Sequence, residues 1–192
     1  MEPLTIAIAC ESQSDIDVAL VYVSRILHEH DVAYQVKKRA APNTGLIGYA
    51  TILTKSFFIQ EQVDIAIFIT DRDTSPGNER LEHLRSKIES VNPLYLLQSV
   101  TVVCDPHFEE WLLADQDCIK RLFDFPGNAP LPGRGLSPKA QLSMIHSEIA
   151  IPRPTLYDTK TMIAEESNMD QLRQHASFSD FYDHLMGVVT RE

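Results

Sequence analysis

The stretch Asp64-Ile-Ala-Ile-Phe-Ile-Thr-Asp-Arg-Asp73 decides the fold of this chain. Residues 65–69 are apolar on both alternating faces, which is typical of a central parallel strand covered by helices on both sides. A polar loop follows and leads after Asn78 into a charged helical segment. The stretch therefore predicts a buried strand whose carboxyl end opens into a loop at one edge of a parallel sheet.

The residues around this strand alternate between strand and helix patterns. Residues 4–10 form a second short apolar run, and a segment with apolar positions at helical spacing follows it. Residues 32–38 are extended, a turn is expected at 43–45, and an amphipathic helix covers roughly 47–60. Residues 94–104 predict one or two further strands. Together these patterns predict an α/β fold of the Rossmann-like type, with a mostly parallel sheet and helices on both faces.

The character of the chain changes after residue 105. Residues 107–123 predict a helix around the only tryptophan, and residues 124–138 hold four of the 11 prolines and three of the seven glycines. Such a composition is typical of a loop. From residue 139 the pattern is helical again, with prolines breaking it near 152–154. We therefore expect an α/β core, residues 1–105, and a mainly helical extension, residues 106–192, packed on it as one compact domain.

Composition limits the classes of function. Seventeen Lys and Arg stand against 27 Asp and Glu, for a net charge of −10. This balance argues against a basic surface for coating nucleic acid or anionic membranes. It is compatible with a nucleic-acid enzyme, because carboxylates can meet phosphate through a divalent cation.

The expected location is the cytoplasm, with no membrane partner. The longest apolar runs are broken by charge far short of the roughly 18 residues of a membrane span, and the first residues lack the pattern of a signal peptide. The three cysteines form no Cys-x-x-Cys pair and are odd in number, so a disulfide framework is not expected. Cys10 and Cys104 each close an apolar run and are predicted to be buried.

Carboxylates follow two of the predicted strands where each strand ends. Glu11 comes after the first strand, and Asp71 and Asp73 come after the central one. In an extended backbone, residues two apart point the same way, so both aspartates could face one cation. Because clustered carboxylates repel one another unless a cation compensates, the pattern predicts a Mg²⁺ or Mn²⁺ site. The alternative is that Asp-x-Asp serves only turn or capping chemistry.

This placement of acids resembles the TOPRIM domain of topoisomerases, bacterial primases and overcoming-lysogenization-defect nucleases. A phosphate-loop hydrolase is excluded, because the chain has no G-x-x-x-x-G-K-[ST] motif. The usual first TOPRIM motif is Glu-Gly, and here Ser12 stands in place of the glycine. We expect some backbone strain at that turn, since glycine adopts it more easily.

A longer motif resembles one particular TOPRIM-like family. Phe108-Glu-Glu-Trp-Leu-Leu-Ala-Asp115 is similar to the Phe-Glu-x-Trp-Leu-Leu-Ala-Asp signature of a family of unknown function related to RloB-type proteins of bacterial restriction and defence loci. Pro138-Lys139, Tyr157-Asp-Thr-Lys160 and Ser177-Phe178 match further segments of that family. The resemblance therefore spans nearly the whole chain.

The resemblance implies roles for individual acids. Glu11 would be an acid/base or metal-organising carboxylate, and Asp71 and Asp73 would hold Mg²⁺. Glu109 is a fourth candidate, whose alternative is an acid stabilised by the helix dipole without catalytic duty. His107 is the histidine placed nearest to this set.

Three cationic residues could bind a substrate phosphate, two of them at positions that match the family, Lys139 and Lys160, and one between the two aspartates, Arg72. For either lysine, a solvent-exposed position is the alternative. Trp111 is expected in the core, and Asp115 is expected to cap or orient rather than to bind metal.

Two functions remain open at this point. The first is a Mg²⁺- or Mn²⁺-dependent enzyme that processes phosphodiesters, in its simplest form a nuclease of bacterial or phage defence, acting on nucleic acid or a nucleotide phosphate. The second is a non-catalytic TOPRIM-fold binding or regulatory module that works with an ATPase or another partner subunit. A homo-oligomer is compatible with both.

Overall fold

The computed structural model describes residues 2–42 and 45–191, and within them it contains one parallel sheet. Its strands lie in the order β2-β1-β3-β4. They are β1 (Leu4–Ala9), β2 (Tyr34–Ala40), β3 (Ile65–Asp71) and β4 (Ser99–Cys104). Helices pack on both faces, so the predicted Rossmann-like α/β fold is confirmed. The turn predicted at 43–45 falls mainly on residues 43 and 44, which lie outside the described residues.

The helices vary from single turns to long amphipathic segments. They are α1 (Gln13–Glu29), α2 (Leu46–Lys55), α3 (Glu79–Glu89), α4 (Pro93–Leu97), α5 (Glu109–Leu113), α6 (Gln116–Leu122), α7 (Pro138–Glu148), α8 (Leu156–Glu166), α9 (Met169–Leu172) and α10 (Ala176–Val189). A π-helical turn, Ser56–Gln60, continues α2. Across the described chain, no helix combines the length and the apolar character that crossing a bilayer requires.

Strand β3 is buried along its whole length, as its sequence predicts. Its side chains alternate between two apolar clusters, one on each face of the sheet. Ile65, Ile67 and Ile69 join the larger cluster, and Ala66 and Phe68 join the smaller one. A strand with apolar residues at every position is stable only between two such layers, which explains why this stretch decides the architecture.

The larger cluster draws residues from both parts of the chain. Trp111 is fully buried, and its ring lies 6.0 Å from Tyr22, 5.1 Å from Phe178 and 5.2 Å from Phe181, measured between centroids. Its indole Nε1 donates a hydrogen bond to Ser177 Oγ at 2.8 Å. The core role predicted for Trp111 is therefore confirmed, and the α/β strands and C-terminal helices share this core.

Two predicted elements differ in the structure. The expected strand region at 94–104 is a strand only from Ser99 onward, because Pro93 opens α4 and the Asn92 side chain accepts the Leu94 N–H as its cap. The helix expected over 107–123 is divided into α5 and α6. Asp115 caps α6 by accepting the Cys118 N–H at 2.9 Å, so its predicted capping role is confirmed.

The order of the strands fixes where a site can form. From β1 the chain adds β2 on one side of β1, and β3 and β4 on the other. The carboxyl ends of all strands meet at one edge, and ligands of such sheets bind where the strand order reverses. Here that position lies between β1 and β3, which are followed by Glu11 and by Asp71 and Asp73.

Candidate metal centre

The loop after β3 is held against the segment that follows β4. Asp71 pairs with Cys104 in register, and the Arg72 N–H donates to the Cys104 carbonyl at 2.8 Å. The Asp73 N–H donates to the Pro106 carbonyl at 3.1 Å. Asp73 has a φ of 51°, so the extended backbone expected for Asp-x-Asp ends at Asp71. The two carboxylates nevertheless approach one another, because a left-handed residue turns the chain back toward the sheet edge.

Asp71 is the buried centre of the site, with 5% of its surface exposed. Its Oδ1 accepts the Phe108 backbone N–H at 2.8 Å, and its Oδ2 accepts from Lys139 Nζ at 2.6 Å. The side chain of Phe108 is itself buried in the core. The Phe-Glu-x-Trp motif therefore has a physical role here: its buried rings fix the backbone that orients Asp71.

His107 completes a group of three side chains around one small volume. Its Nδ1 lies 3.7 Å from Asp71 Oδ2 and 3.6 Å from Asp73 Oδ1, and this buried nitrogen has no hydrogen-bond partner among the described residues. One ligand atom from each of the three residues lies within 4.8 Å of the other two. The group is open to solvent on one side, since Asp73 is exposed and His107 is half-buried.

These distances fit a divalent cation. Metal–ligand bonds of about 2.0–2.2 Å place neighbouring ligand atoms about 3 to 3.6 Å apart. The separations at His107 are too long for hydrogen bonds, and at 3.6 and 3.7 Å they lie at and just above the upper end of that range. Two carboxylates and an imidazole suit a transition metal such as Mn²⁺ at least as well as the predicted Mg²⁺.

Glu11 lies beside this group but is not one of its members. Its Oε1 accepts from the Thr70 hydroxyl and from Arg80 Nη2, the latter at 3.0 Å. Arg80 Nη1 binds Asp73 Oδ2 at 3.0 Å, so the guanidinium joins Glu11 to the aspartate loop. The ends of β1 and β3 thus come together as expected, while a metal role for Glu11 stays a prediction.

The strain expected at Ser12 is absent. Ser12 has φ −137° and ψ 163°, an ordinary extended conformation, and it is the N-cap of α1. Its hydroxyl accepts the Asp15 N–H at 3.2 Å. A glycine is therefore unnecessary at this turn, and the expectation of strain was wrong.

Lys139 reaches the site from the first turn of α7. Burial by itself would lower the pKa of Lys139, but the hydrogen bond to Asp71 and the negative charges of Asp71, Glu109 and Asp73 outweigh it, so the pKa is raised. The side chain remains half exposed. Lys139 is therefore a charged, solvent-accessible group in contact with Asp71, and its role toward a phosphate remains a prediction.

Glu109 and Lys160 form a second, closed ion pair. Lys160 Nζ lies 3.0 Å from Glu109 Oε1 and 3.4 Å from Asp15 Oδ1. Both Glu109 and Lys160 are buried, and Glu109 Oε2 is a buried atom without a hydrogen-bond partner in the described chain. A solvent-exposed Lys160 is thus excluded, and the helix dipole alone does not account for Glu109.

Arg72 faces a different direction from the aspartates that flank it. Its Nη1 binds the Asp105 carboxylate, and its Nε donates to the Ser75 carbonyl at 3.2 Å. These contacts stabilise the loop after β3. Binding of phosphate by Arg72 stays a prediction.

The cysteines are packing residues, as their positions in apolar runs predict. Cys10 and Cys104 are buried, and all three cysteines are free. Burial raises the pKa of Cys10 and of Cys104 well above the ordinary thiol value. Both thiols are therefore poor nucleophiles, although they lie directly beneath the acidic site.

Arg80 belongs to the site but is not predicted by any motif of the sequence. It is the second residue of α3, in a helix rich in charges of both signs, where an arginine predicts only a solvated face. The sequence places it seven residues after Asp73, and only the fold of the intervening loop brings it back to the strand ends. No signal in the sequence distinguishes it from Arg85 on the same helix.

No protein-family model, curated protein or solved structure matches the chain. The TOPRIM resemblance therefore rests on the quoted residues alone and remains a prediction. The geometry of Asp71, Asp73 and His107 is independent of that resemblance.

Proposed function

We propose that the protein is a Mg²⁺- or Mn²⁺-dependent, TOPRIM-like enzyme that processes phosphodiesters, in its simplest form a nuclease of bacterial or phage defence. The observation that carries the proposal is the group Asp71, Asp73 and His107, whose ligand atoms lie within 4.8 Å of one another. Within this group, the buried Nδ1 of His107 has no hydrogen-bond partner in the described chain. The group lies after the carboxyl ends of β3 and β4, beside the point between β1 and β3 where the strand order reverses, and ligands of this fold class bind at that edge of the sheet.

Each side chain has a chemical task in this proposal. Asp71, Asp73 and His107 would hold the cation, which when bound would stabilise negative charge on a non-bridging phosphate oxygen. Glu11 would organise the site or transfer a proton at the attacking or leaving oxygen. Lys139 would bind an approaching phosphate, a role supported by its charge, its half-exposed side chain and its contact with Asp71.

The overall charge limits the classes of substrate that the protein can bind unaided. With a net charge of −10 the protein repels long polyanions, and unaided affinity for long nucleic acid should be weak. The proposal therefore favours two situations. Either the substrate is small and phosphorylated, or a partner such as an ATPase subunit supplies the basic surface.

The direct test is cleavage of single- and double-stranded DNA and RNA, and of small nucleotides, with Mn²⁺ or Mg²⁺. The matched pair of variants is Asp71→Asn and Asp117→Asn. The first keeps an acceptor for the Phe108 N–H but loses the carboxylate, and the second changes an exposed acid on α6. We expect products from the wild type and from D117N and none from D71N. Equal products from D71N would remove the assigned role of Asp71.

A second candidate function is a non-catalytic binding or regulatory module. The observation that favours it is that the acids already carry cationic partners: Asp71 has Lys139 at 2.6 Å, and Asp73 and Glu11 share Arg80 at 3.0 Å. Two cations of the protein therefore offset two of the three negative charges without a metal. Absence of cleavage in every assay, together with absence of Mn²⁺ binding, would favour this function over the enzyme.

A further inference from the structure

Arg80 connects three separate parts of the site. Its Nη2 donates to Glu11 Oε1 at 3.0 Å and to Thr70 Oγ1 at 2.9 Å, and its Nη1 donates to Asp73 Oδ2 at 3.0 Å. These partners come from the end of β1, the end of β3 and the loop after β3. A single side chain from α3 therefore fixes their relative positions.

The contact to Asp73 is made on one oxygen only. Arg80 holds Oδ2, while the other oxygen, Oδ1, lies 3.6 Å from His107 Nδ1 in the proposed cation site. Holding one carboxylate oxygen determines where the second one points. Arg80 thus orients Asp73 toward the site without occupying the position between Asp73 and His107.

Charge alone does not explain this arrangement. A guanidinium is planar and presents parallel N–H groups in a fixed fork, whereas a lysine ammonium is a point charge on a flexible stem. The two terminal nitrogens of the fork divide the contacts, since Nη2 binds Glu11 and Thr70 while Nη1 binds Asp73. The side chain is also well enclosed, with 22% of its surface exposed and Nε buried, so its position is set by packing as well as by its partners.

We propose that Arg80 is the positioning residue of the candidate cation site, which fixes the Asp73 carboxylate in the geometry that binds the metal and holds Glu11 beside it. The proposal rests on the proposed function, because it assigns Arg80 a task in the same site. It assigns that task to the geometry of the guanidinium and not to its charge. Partners that orient metal ligands in this way typically change metal affinity by about 10- to 100-fold when they are replaced.

The test is Mn²⁺ binding measured by isothermal titration calorimetry for four proteins: wild type, Arg80→Lys, Arg80→Met and Arg85→Lys. Arg85 is the matched control, because it lies on the same helix and its Nε donates to Thr101 Oγ1 at 3.1 Å, away from the acids. We expect R80K to bind Mn²⁺ about tenfold or more weakly, since it keeps the charge and loses the fork. R80M should also bind more weakly, and R85K should match the wild type.

Two results would overturn the proposal. If R80K binds as the wild type does, charge is sufficient and the fork has no role. If R80M binds more tightly than the wild type, Arg80 acts only as a competing positive charge.

A second measurement distinguishes failure of the proposed function from failure of the contact between Arg80 and Glu11. If the wild type binds no Mn²⁺, the cation site is lost. The contact is then tested by a double-mutant cycle of R80K and Glu11→Gln, with the free energy of unfolding measured in urea without metal. We expect the double variant to be less destabilised than the two single shifts added together, because the two residues stabilise one another. Additive shifts would show that Arg80 does not hold Glu11.

Discussion

Two clusters of opposite charges lie at the same edge of the sheet, and they differ mainly in exposure. The open cluster consists of Asp71, Asp73 and His107 with the cations Lys139 and Arg80, and the closed cluster consists of Glu109, Asp15 and Lys160. In the open cluster 51% of the Lys139 side chain is exposed. In the closed cluster Lys160 and Glu109 expose only 9% and 7% of their side chains.

Burial determines what each cluster can do. In the closed cluster water is excluded, so each charge is stabilised by its partner. Removal of either partner leaves a buried charge without compensation, at a large cost in free energy. In the open cluster water can solvate Lys139 and Asp73, so a cationic partner can be exchanged. The same residue types therefore form a structural ion pair in one place and a candidate binding site in the other.

The largest expected effect belongs to the closed cluster. Lys160→Met leaves the Glu109 carboxylate buried without its cation, which costs about 3–5 kcal/mol in comparable buried pairs. The free energy of unfolding should fall by that amount in urea titrations. The control is Lys38→Met, which removes an exposed ion pair with Glu61 and should cost no more than about 1 kcal/mol. Equal stability of K160M and the wild type would show that the closed cluster is not a structural pair.

A smaller effect is expected when the imidazole is removed from the open cluster. His107→Gln should weaken Mn²⁺ binding at least tenfold, because replacing a residue that only orients a metal ligand already changes affinity about 10- to 100-fold and His107 is itself a proposed ligand. Stability should change little, because His107 Nδ1 has no hydrogen bond to lose. The measurement is calorimetric titration with Mn²⁺, with His83→Gln on the exposed face of α3 as the control. An unchanged affinity of H107Q would remove His107 from the site.

The smallest effect concerns the exchangeable lysine. Lys139→Met should tighten Mn²⁺ binding about fivefold, because a unit charge 4 Å away contributes about 1 kcal/mol in water. The same titration measures this change. Weaker binding in K139M would mean that Lys139 supports the cation instead of competing with it.

Much of the fold follows from the sequence because apolar patterns report burial. The run 65–69 and the run 4–10 predict buried strands, and both are buried in the structure. Local chemistry overrides the pattern at residues 94–98, where Pro93 and the Asn92 cap favour a helix over a strand. Pro93 and Asn92 are thus the sequence signal for a helix, and the apolar run beside them is typical of a strand.

The site was only partly predictable. Glu11, Asp71 and Asp73 follow strands, and parallel topology brings the ends of those strands together. Lys139 was singled out only through the resemblance of Pro138-Lys139. Arg80 reaches the acids from α3, and an arginine in a helix rich in charges carries no signal of its own. The pairing of Glu109 with Lys160 joins residues 51 positions apart and could not be read from either motif.

The most direct test of the central claim is Mn²⁺ binding by the wild type and by Asp71→Asn, measured by calorimetry and by electron paramagnetic resonance. Asparagine keeps the acceptor for the Phe108 N–H, so the local fold should survive. We expect one bound Mn²⁺ per wild-type chain and no measurable binding by D71N. Absence of binding by the wild type, or equal binding by D71N, would contradict it.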